Sequence, residues 1–339
     1  MSINLPPSSL PRVVIAGGGF AGLKLAQALD SSLFQIILID HHNYHQFPPL
    51  IYQVASSGLE PSSIAFPFRA AFKRKKNFIF RLANVIGVEP EQKQLITSVG
   101  EVPYDYLVLA CGGTTNYFGN EQVAKHSLPM KTLYESMNLR NVLLQNIEKA
   151  LVSDKPETRE ALLTVAIVGG GPSGVEIAGA LAEMKRYVLP KDYPDMETDQ
   201  FKIHLIDASH RLLQAMSEKS SRTAAEGLTS LGVEIHHNMM VTDYDGRVLT
   251  LGDGTKMNTR TVIWVSGIVA NTIEGIQADS LGRGKRILVD GYNEVQGVPG
   301  VFALGDQCLM TADPAYPQGH PQMAQVAIQQ AALLAKNLK

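Results

Sequence analysis

At 339 residues, with 45% apolar and 18% charged residues, the chain is long for one domain and fits two or three soluble globular ones. Its 30 basic and 32 acidic residues nearly cancel, which gives no global field for nucleic acid. No apolar run of about 18 residues predicts a transmembrane helix, residues 1–11 lack an apolar signal core, and two distant cysteines, Cys111 and Cys308, exclude a local C-x-x-C dithiol and fit a reducing compartment.

The first element is an apolar strand, Val13-Val14-Ile15-Ala16, running into Gly17-Gly18-Gly19-Phe20-Ala21-Gly22 and a helical pattern. A second apolar run, Ile36-Ile37-Leu38-Ile39, ends on Asp40 and predicts a buried parallel strand. His41-His42-Asn43-Tyr44-His45 follows; its spacing matches no common metal site, so it reads as a cofactor-lining loop and no metal is expected. Lys73-Arg74-Lys75-Lys76 reads as a solvated turn, with contact to anionic lipid as the lesser alternative. Tyr106 to Leu109 predicts a third strand closing on Ala110-Cys111-Gly112, and 131–152 has the spacing of a helix bridging two halves.

The opening motif then returns. Val165-Ala166-Ile167-Val168 leads into Gly169-Gly170-Gly171-Pro172-Ser173-Gly174, and Ala178, Ala180 and Leu181 repeat Ala26, Ala28 and Leu29. Ile203-His204-Leu205-Ile206-Asp207 is the counterpart of the run ending at Asp40, delayed by a polar, proline-bearing stretch, 187–200, that reads as an inserted loop. Asp245-Gly246 and Asp253-Gly254 punctuate a small antiparallel meander. Val262 to Val265, closing on Ser266-Gly267, repeats the third strand. Val301 to Leu304 is a further buried strand ending on Gly305-Asp306, and 323–338 is a helical run. The chain stops at that helix without a cap or glycine, which leads us to expect a further native segment.

In G-x-G-x-x-G the first glycine makes the tight turn, the second admits a pyrophosphate, and the third lets helix and strand pack closely. Phosphates then meet the free N–H groups and positive dipole end of the helix. One such motif is weak evidence, because an ordinary glycine-rich turn is the competing reading. Two copies, each with strand, helix and downstream acid, imply two dinucleotides and electron transfer between them. Gly17, Gly19, Phe20, Ala21 and Gly22 would hold one, and Gly169, Gly171, Pro172, Ser173 and Gly174 the other. Asp40 and Asp207 would accept from ribose hydroxyls, and an acid there disfavours a 2′-phosphate. Arg211, close behind Asp207, weakens that preference for NADH over NADPH. Asp306 is either an ordinary turn acid or a partner for a flavin's polyol chain. Glu176, where the first copy has Lys24, is either a dipole-stabilising acid or a partly buried acid facing nicotinamide and flavin, orienting nicotinamide or relaying protons.

The chain resembles the type II NADH:quinone oxidoreductases, the single-subunit, non-proton-pumping NADH dehydrogenases. The resemblance rests on Gly17 to Leu23, His42-Asn43-Tyr44-His45-Gln46-Phe47, Pro49-Leu50-Ile51-Tyr52-Gln53-Val54-Ala55, Gly169 to Glu176, and above all Ala324-Gln325-Val326-Ala327-Ile328-Gln329-Gln330. It implies an α/β, glutathione-reductase-like architecture of two Rossmann-like dinucleotide-binding domains, each with a small antiparallel β insertion. The expected borders are 10–120 plus 285–339 for a discontinuous FAD-binding domain and 121–284 for an NADH-binding domain. FAD would meet the first motif with Asp40, Ala110, Gly112, Gly305, Asp306 and Gln325; NADH would meet the second with Asp207 and Gly267. Gln325 and Gln329 would border the quinone, and Glu176 would be catalytic. Asp207 stands where many members carry glutamate. The resemblance also implies peripheral attachment to the cytoplasmic face of the inner membrane through a C-terminal region this chain lacks, and it allows for a homodimer. Sulfide:quinone oxidoreductases fit poorly because they need reactive cysteines. A soluble reductase of ferredoxin-reductase type and a non-catalytic NADH-sensing flavoprotein are the alternatives.

Overall fold

The computed structural model describes residues 3–339. They divide into two compact units, one built from the chain up to Gln46 with Ala65–Thr114 and Ile268–Lys339, the other from Phe47–Ile64 with Thr115–Gly267. These unit borders differ from the expected ones, 10–120 plus 285–339 and 121–284. The segment 47–64 joins the second unit because the helix Ile51–Ala55 buries Ile51, Val54 and Ala55 against two helices of that unit, Leu133–Leu151 and Pro172–Tyr187. The Leu133–Leu151 helix, expected within the 121–284 domain as its bridging helix, lies in this second unit. It starts on a reciprocal cap: Glu135 N–H donates to Thr132 Oγ1, and the Glu135 carboxylate accepts from Thr132 N–H.

The first unit is built on β1 (Arg12–Ala16), α1 (Phe20–Ala28) and β2 (Gln35–Asp40). Its five-stranded sheet runs in the order Val301–Ala303, Tyr106–Leu109, β1, β2, Phe78–Leu82, every pair parallel. Strands covered on both faces need apolar residues at every position, and Val13, Val14, Ile15 and Ala16 are all fully buried. Alternation then sorts them. Val13, Ile15, Ile36 and Leu38 pack with α1 and the helix Ala324–Asn337. Val14, Ala16, Ile37 and Ile39 pack with Val88, Leu95 and Val102 of the meander Val85–Glu89, Gln94–Thr97, Gly100–Pro103. Each such valine, leucine or isoleucine side chain contributes about 1.5–3 kcal/mol by leaving water.

The second unit repeats the plan with β3 (Thr164–Val168), α2 (Pro172–Tyr187), β4 (Lys202–Ile206) and β5 (Val233–His236). Its parallel sheet runs Leu128–Pro129, Thr261–Trp264, β3, β4, β5. The expected meander is present as Val241–Tyr244, Val248–Leu251 and Lys256–Asn258. The stretch 187–200 is more ordered than a loop: it contains a helical turn, Leu189–Asp192, and a 3-10 turn, Thr198–Gln200. Buried Leu189 and Met196 anchor it.

Candidate functional site

In the first unit the ends of three adjacent parallel strands meet. Leu304 N–H donates to the Leu109 carbonyl, and Ala110 N–H to that of Ala16. The Gly17 turn, Ala110–Gly112 and Gly305–Asp306 therefore open on one edge of the sheet, the carboxyl end, where open α/β sheets bind ligands. Gly17 has φ +105°, a conformation that favours glycine. A Cβ on Gly22 would collide with the Gly17 carbonyl, so helix and turn touch only because Gly22 has no side chain. A Cβ on Gly19 would meet no protein atom. The first turn of α1 has neither a capping side chain nor an acid, and a helix N-terminus of this kind attracts anions. Asp40 closes the site from β2: one carboxylate oxygen accepts from Gly18 N–H at 2.6 Å, the other from His42 N–H at 2.7 Å.

The second unit reproduces this arrangement. Gly169 has φ +120°, a Cβ on Gly174 would strike the Gly169 carbonyl, and Gly171 again opens on space free of protein atoms. The first turn of α2 is likewise uncapped and contains no acid. Asp207 accepts from Gly170 N–H and, at 2.7 Å, from Ser209 N–H. Both acids are thus tied to backbone, and each oxygen keeps a second lone pair for a ribose hydroxyl. Gly267, at the end of the third strand, has φ +110°. Arg211 donates to the carbonyls of Gln214 at 2.8 Å and Met216 at 3.1 Å. Its guanidinium staples its own loop, which removes much of the reason to expect a 2′-phosphate partner there.

Glu176 departs from expectation in two ways. It is the fifth residue of α2, past the first turn, and it is exposed rather than partly buried. Its carboxyl is nonetheless raised above the ordinary carboxylate range by desolvation. In the helix Ala324–Asn337, Gln325 and Gln329 are exposed one turn apart, on a common face.

The residue after them, Gln330, is buried, and its Oε1 accepts from Gly305 N–H at 2.8 Å. Gln307 is also buried; it accepts from Cys111 N–H at 2.6 Å and donates to the Asn271 carbonyl at 2.9 Å. These two side chains fix the turn that bears Asp306 and the turn at Ala110–Gly112. Sequence reading missed both, although Gln330 stood in the most distinctive motif.

The chain matches the family model of the pyridine nucleotide-disulphide oxidoreductases over residues 11–331. It is 34% identical to the type II NADH:quinone oxidoreductase Ndh of Mycobacterium tuberculosis, across 100% of this chain and 75% of that protein. The chain belongs to the type II NADH:quinone oxidoreductase family. NdhA of the same organism, also named a type II NADH:quinone oxidoreductase, is 33% identical across 93% of this chain and 70% of its own length. Among solved structures, NDH2 of Plasmodium falciparum in complex with NADH superposes with a TM-score of 0.89 at 21% identity, over 97% of this chain and 83% of that one. A ferredoxin reductase of Rhodopseudomonas palustris gives 0.78 at 21% identity, over 97% and 76%. Both share the fold.

Membership makes the chain an oxidoreductase of the NADH dehydrogenase type, with FAD and NADH as its cofactors. The residues fit that pair. Each unit offers an uncapped helix start beside a bare glycine, and in the first unit His42 Nε2 is buried without a hydrogen-bond partner next to Asp40. Burial also holds the His42 pKa below its usual value. Cys111 and Cys308 are both free, and burial pushes their thiols up to about 12 and about 11, which favours the protonated form.

Proposed function

We propose that this enzyme passes two electrons from NADH to a quinone by way of FAD, without pumping protons. The twin sites carry the reading: two mononucleotide folds with the same turn, the same acid clamp and the same uncapped helix. The first unit would hold FAD through Gly17, Gly19, Phe20, Ala21 and Gly22, with Asp40 on ribose, Ala110 and Gly112 beside the ring, and Gly305 and Asp306 along the polyol chain. The second would hold NADH through Gly169, Gly171, Pro172, Ser173 and Gly174, with Asp207 on ribose and Gly267 at the third strand. When bound, the flavin supplies the chemistry that accepts a hydride and returns its electrons to an acceptor. The protein's own share is position and electrostatics.

Asp207 places a carboxylate where NADPH would bring a phosphate, so charge repulsion favours NADH. Glu176 orients the nicotinamide or moves a proton, a role consistent with its raised pKa. Gln325 and Gln329 present paired amides to the quinone carbonyls, and Gln325 also borders the flavin. Among the described residues no helix is long and apolar enough to cross a membrane. Because a quinone resides in the bilayer, we place the working enzyme at the cytoplasmic face of the inner membrane as a peripheral protein.

Purified protein should show flavin absorption that NADH bleaches and a quinone analogue restores. Restoration by a ferredoxin but not by a quinone would replace this reading with a ferredoxin-type reductase. One round of bleaching without turnover on any acceptor would replace it with an NADH sensor.

A further inference from the structure

At the edge of the second sheet β4 and β5 run in parallel register, with His204 level with Glu234 and Ile206 level with His236. Alternate residues of a strand share a face, so Glu234 and His236 stand together on the edge strand beside His204 on its neighbour. His204 Nδ1 lies 3.1 Å from His236 Nε2 and 3.5 Å from Glu234 Oε2, and the three donor atoms lie within 4.8 Å of one another. Two nitrogens bound tetrahedrally to zinc at about 2.0–2.1 Å are roughly 3.4 Å apart. The imidazole pair is thus already close to ligand spacing. We propose that His204, Glu234 and His236 form a binding site for a zinc-like divalent transition-metal ion, with two imidazole nitrogens, one carboxylate oxygen and water completing the shell.

The surroundings support a ligand set more than a chance contact. His204 is only 8% exposed, so the packing around it holds its ring in place. Lys202, on the same face of β4, has its ammonium on the Glu160 carboxylate at 2.8 Å, which holds that cation on another partner. The ligands sit on adjacent hydrogen-bonded strands, so little ordering is needed on binding. Two nitrogens and one oxygen suit zinc, nickel or copper; magnesium and calcium prefer all-oxygen shells. Sequence reading could not find the site, because the ligands come from two separate strands and the conspicuous histidine cluster lies elsewhere. The site also abuts the cofactor acid: Asp207 N–H donates to the His236 carbonyl at 2.9 Å. A bound ion would pin β5 to β4 beneath the residue that we assign to ribose.

The test is calorimetric titration of the full chain with zinc chloride, alongside thermal denaturation. The wild type should bind one equivalent that His236→Gln and His204→Gln each abolish, and Glu234→Gln should weaken it at least about tenfold. The melting midpoint of the wild type should rise with zinc, and that of His236→Gln should not. Because His204 is buried and its variant can fail to fold, cobalt(II) added to the wild type gives an independent readout. A difference spectrum with the visible bands of four-coordinate cobalt, lost when zinc is added, supports the site. No cobalt bands in the wild type, or equal zinc binding by wild type and folded His236→Gln, overturns it.

Discussion

Asp40 and Asp207 each hold the glycine turn by its second N–H, and we assign their remaining lone pairs to ribose hydroxyls. Asp207→Asn removes the charge and can set an amide N–H against a backbone N–H. It should narrow the NADH over NADPH preference, read as the ratio of kcat/KM values, and cost about 1–3 kcal/mol of stability; an unaltered ratio removes Asp207 from the ribose. Glu176→Gln should slow turnover while flavin stays bound. Because desolvation raises the Glu176 pKa, the wild-type rate profile should contain an ionisation above the ordinary carboxylate range, absent from the variant. Equal profiles would assign Glu176 no proton role. His42 titrates in the opposite sense. Burial lowers its folded pKa from 6.5, so the unfolded chain binds the proton more readily. Stability contributed by its neutral form is present above pH 6.5 and is lost as pH falls toward the folded value. The cofactor-free protein should therefore lose melting temperature on mild acidification, and His42→Phe should flatten that loss.

The Ala324–Asn337 helix shows how one element serves two tasks. One side buries Ala327, Gln330, Ala331 and Leu334 against the first unit's core, and there Gln330 holds Gly305 N–H. The other side exposes Gln325 and Gln329. Adjacent glutamines should consequently fail differently. Gln330→Leu strands the Gly305 N–H and should cost about 1–3 kcal/mol with loss of bound flavin. Gln329→Leu should change stability by no more than about 0.5 kcal/mol while raising KM for the quinone. Denaturation midpoints and flavin content separate the two, and identical behaviour would refute this division of the helix.

Across the whole molecule, one folding plan appears twice with different assigned loads. In both units a Cβ on the third motif glycine meets the carbonyl of the first, so the same substitution tests the units separately. Gly22→Ala should release flavin. Gly174→Ala should retain flavin and raise KM for NADH. Each should cost about 1–3 kcal/mol from overpacking, measured by chemical denaturation. Flavin loss from Gly174→Ala with retention in Gly22→Ala would reverse the assignment of the two cofactors.

The sequence by itself determined both dinucleotide turns, their strands and their acids. These depend on residues near one another in the chain: an apolar run buried on both faces, glycines at a tight turn, a carboxylate at the next strand's end. The tertiary structure alone decided the unit borders, the burial of Gln330 and Gln307, the diversion of Arg211 to its own loop, and the meeting of His204 with Glu234 and His236. Each of those depends on contacts between segments far apart in sequence, or on which way a side chain turns once its helix or strand is packed. Periodicity and spacing do not encode that information locally.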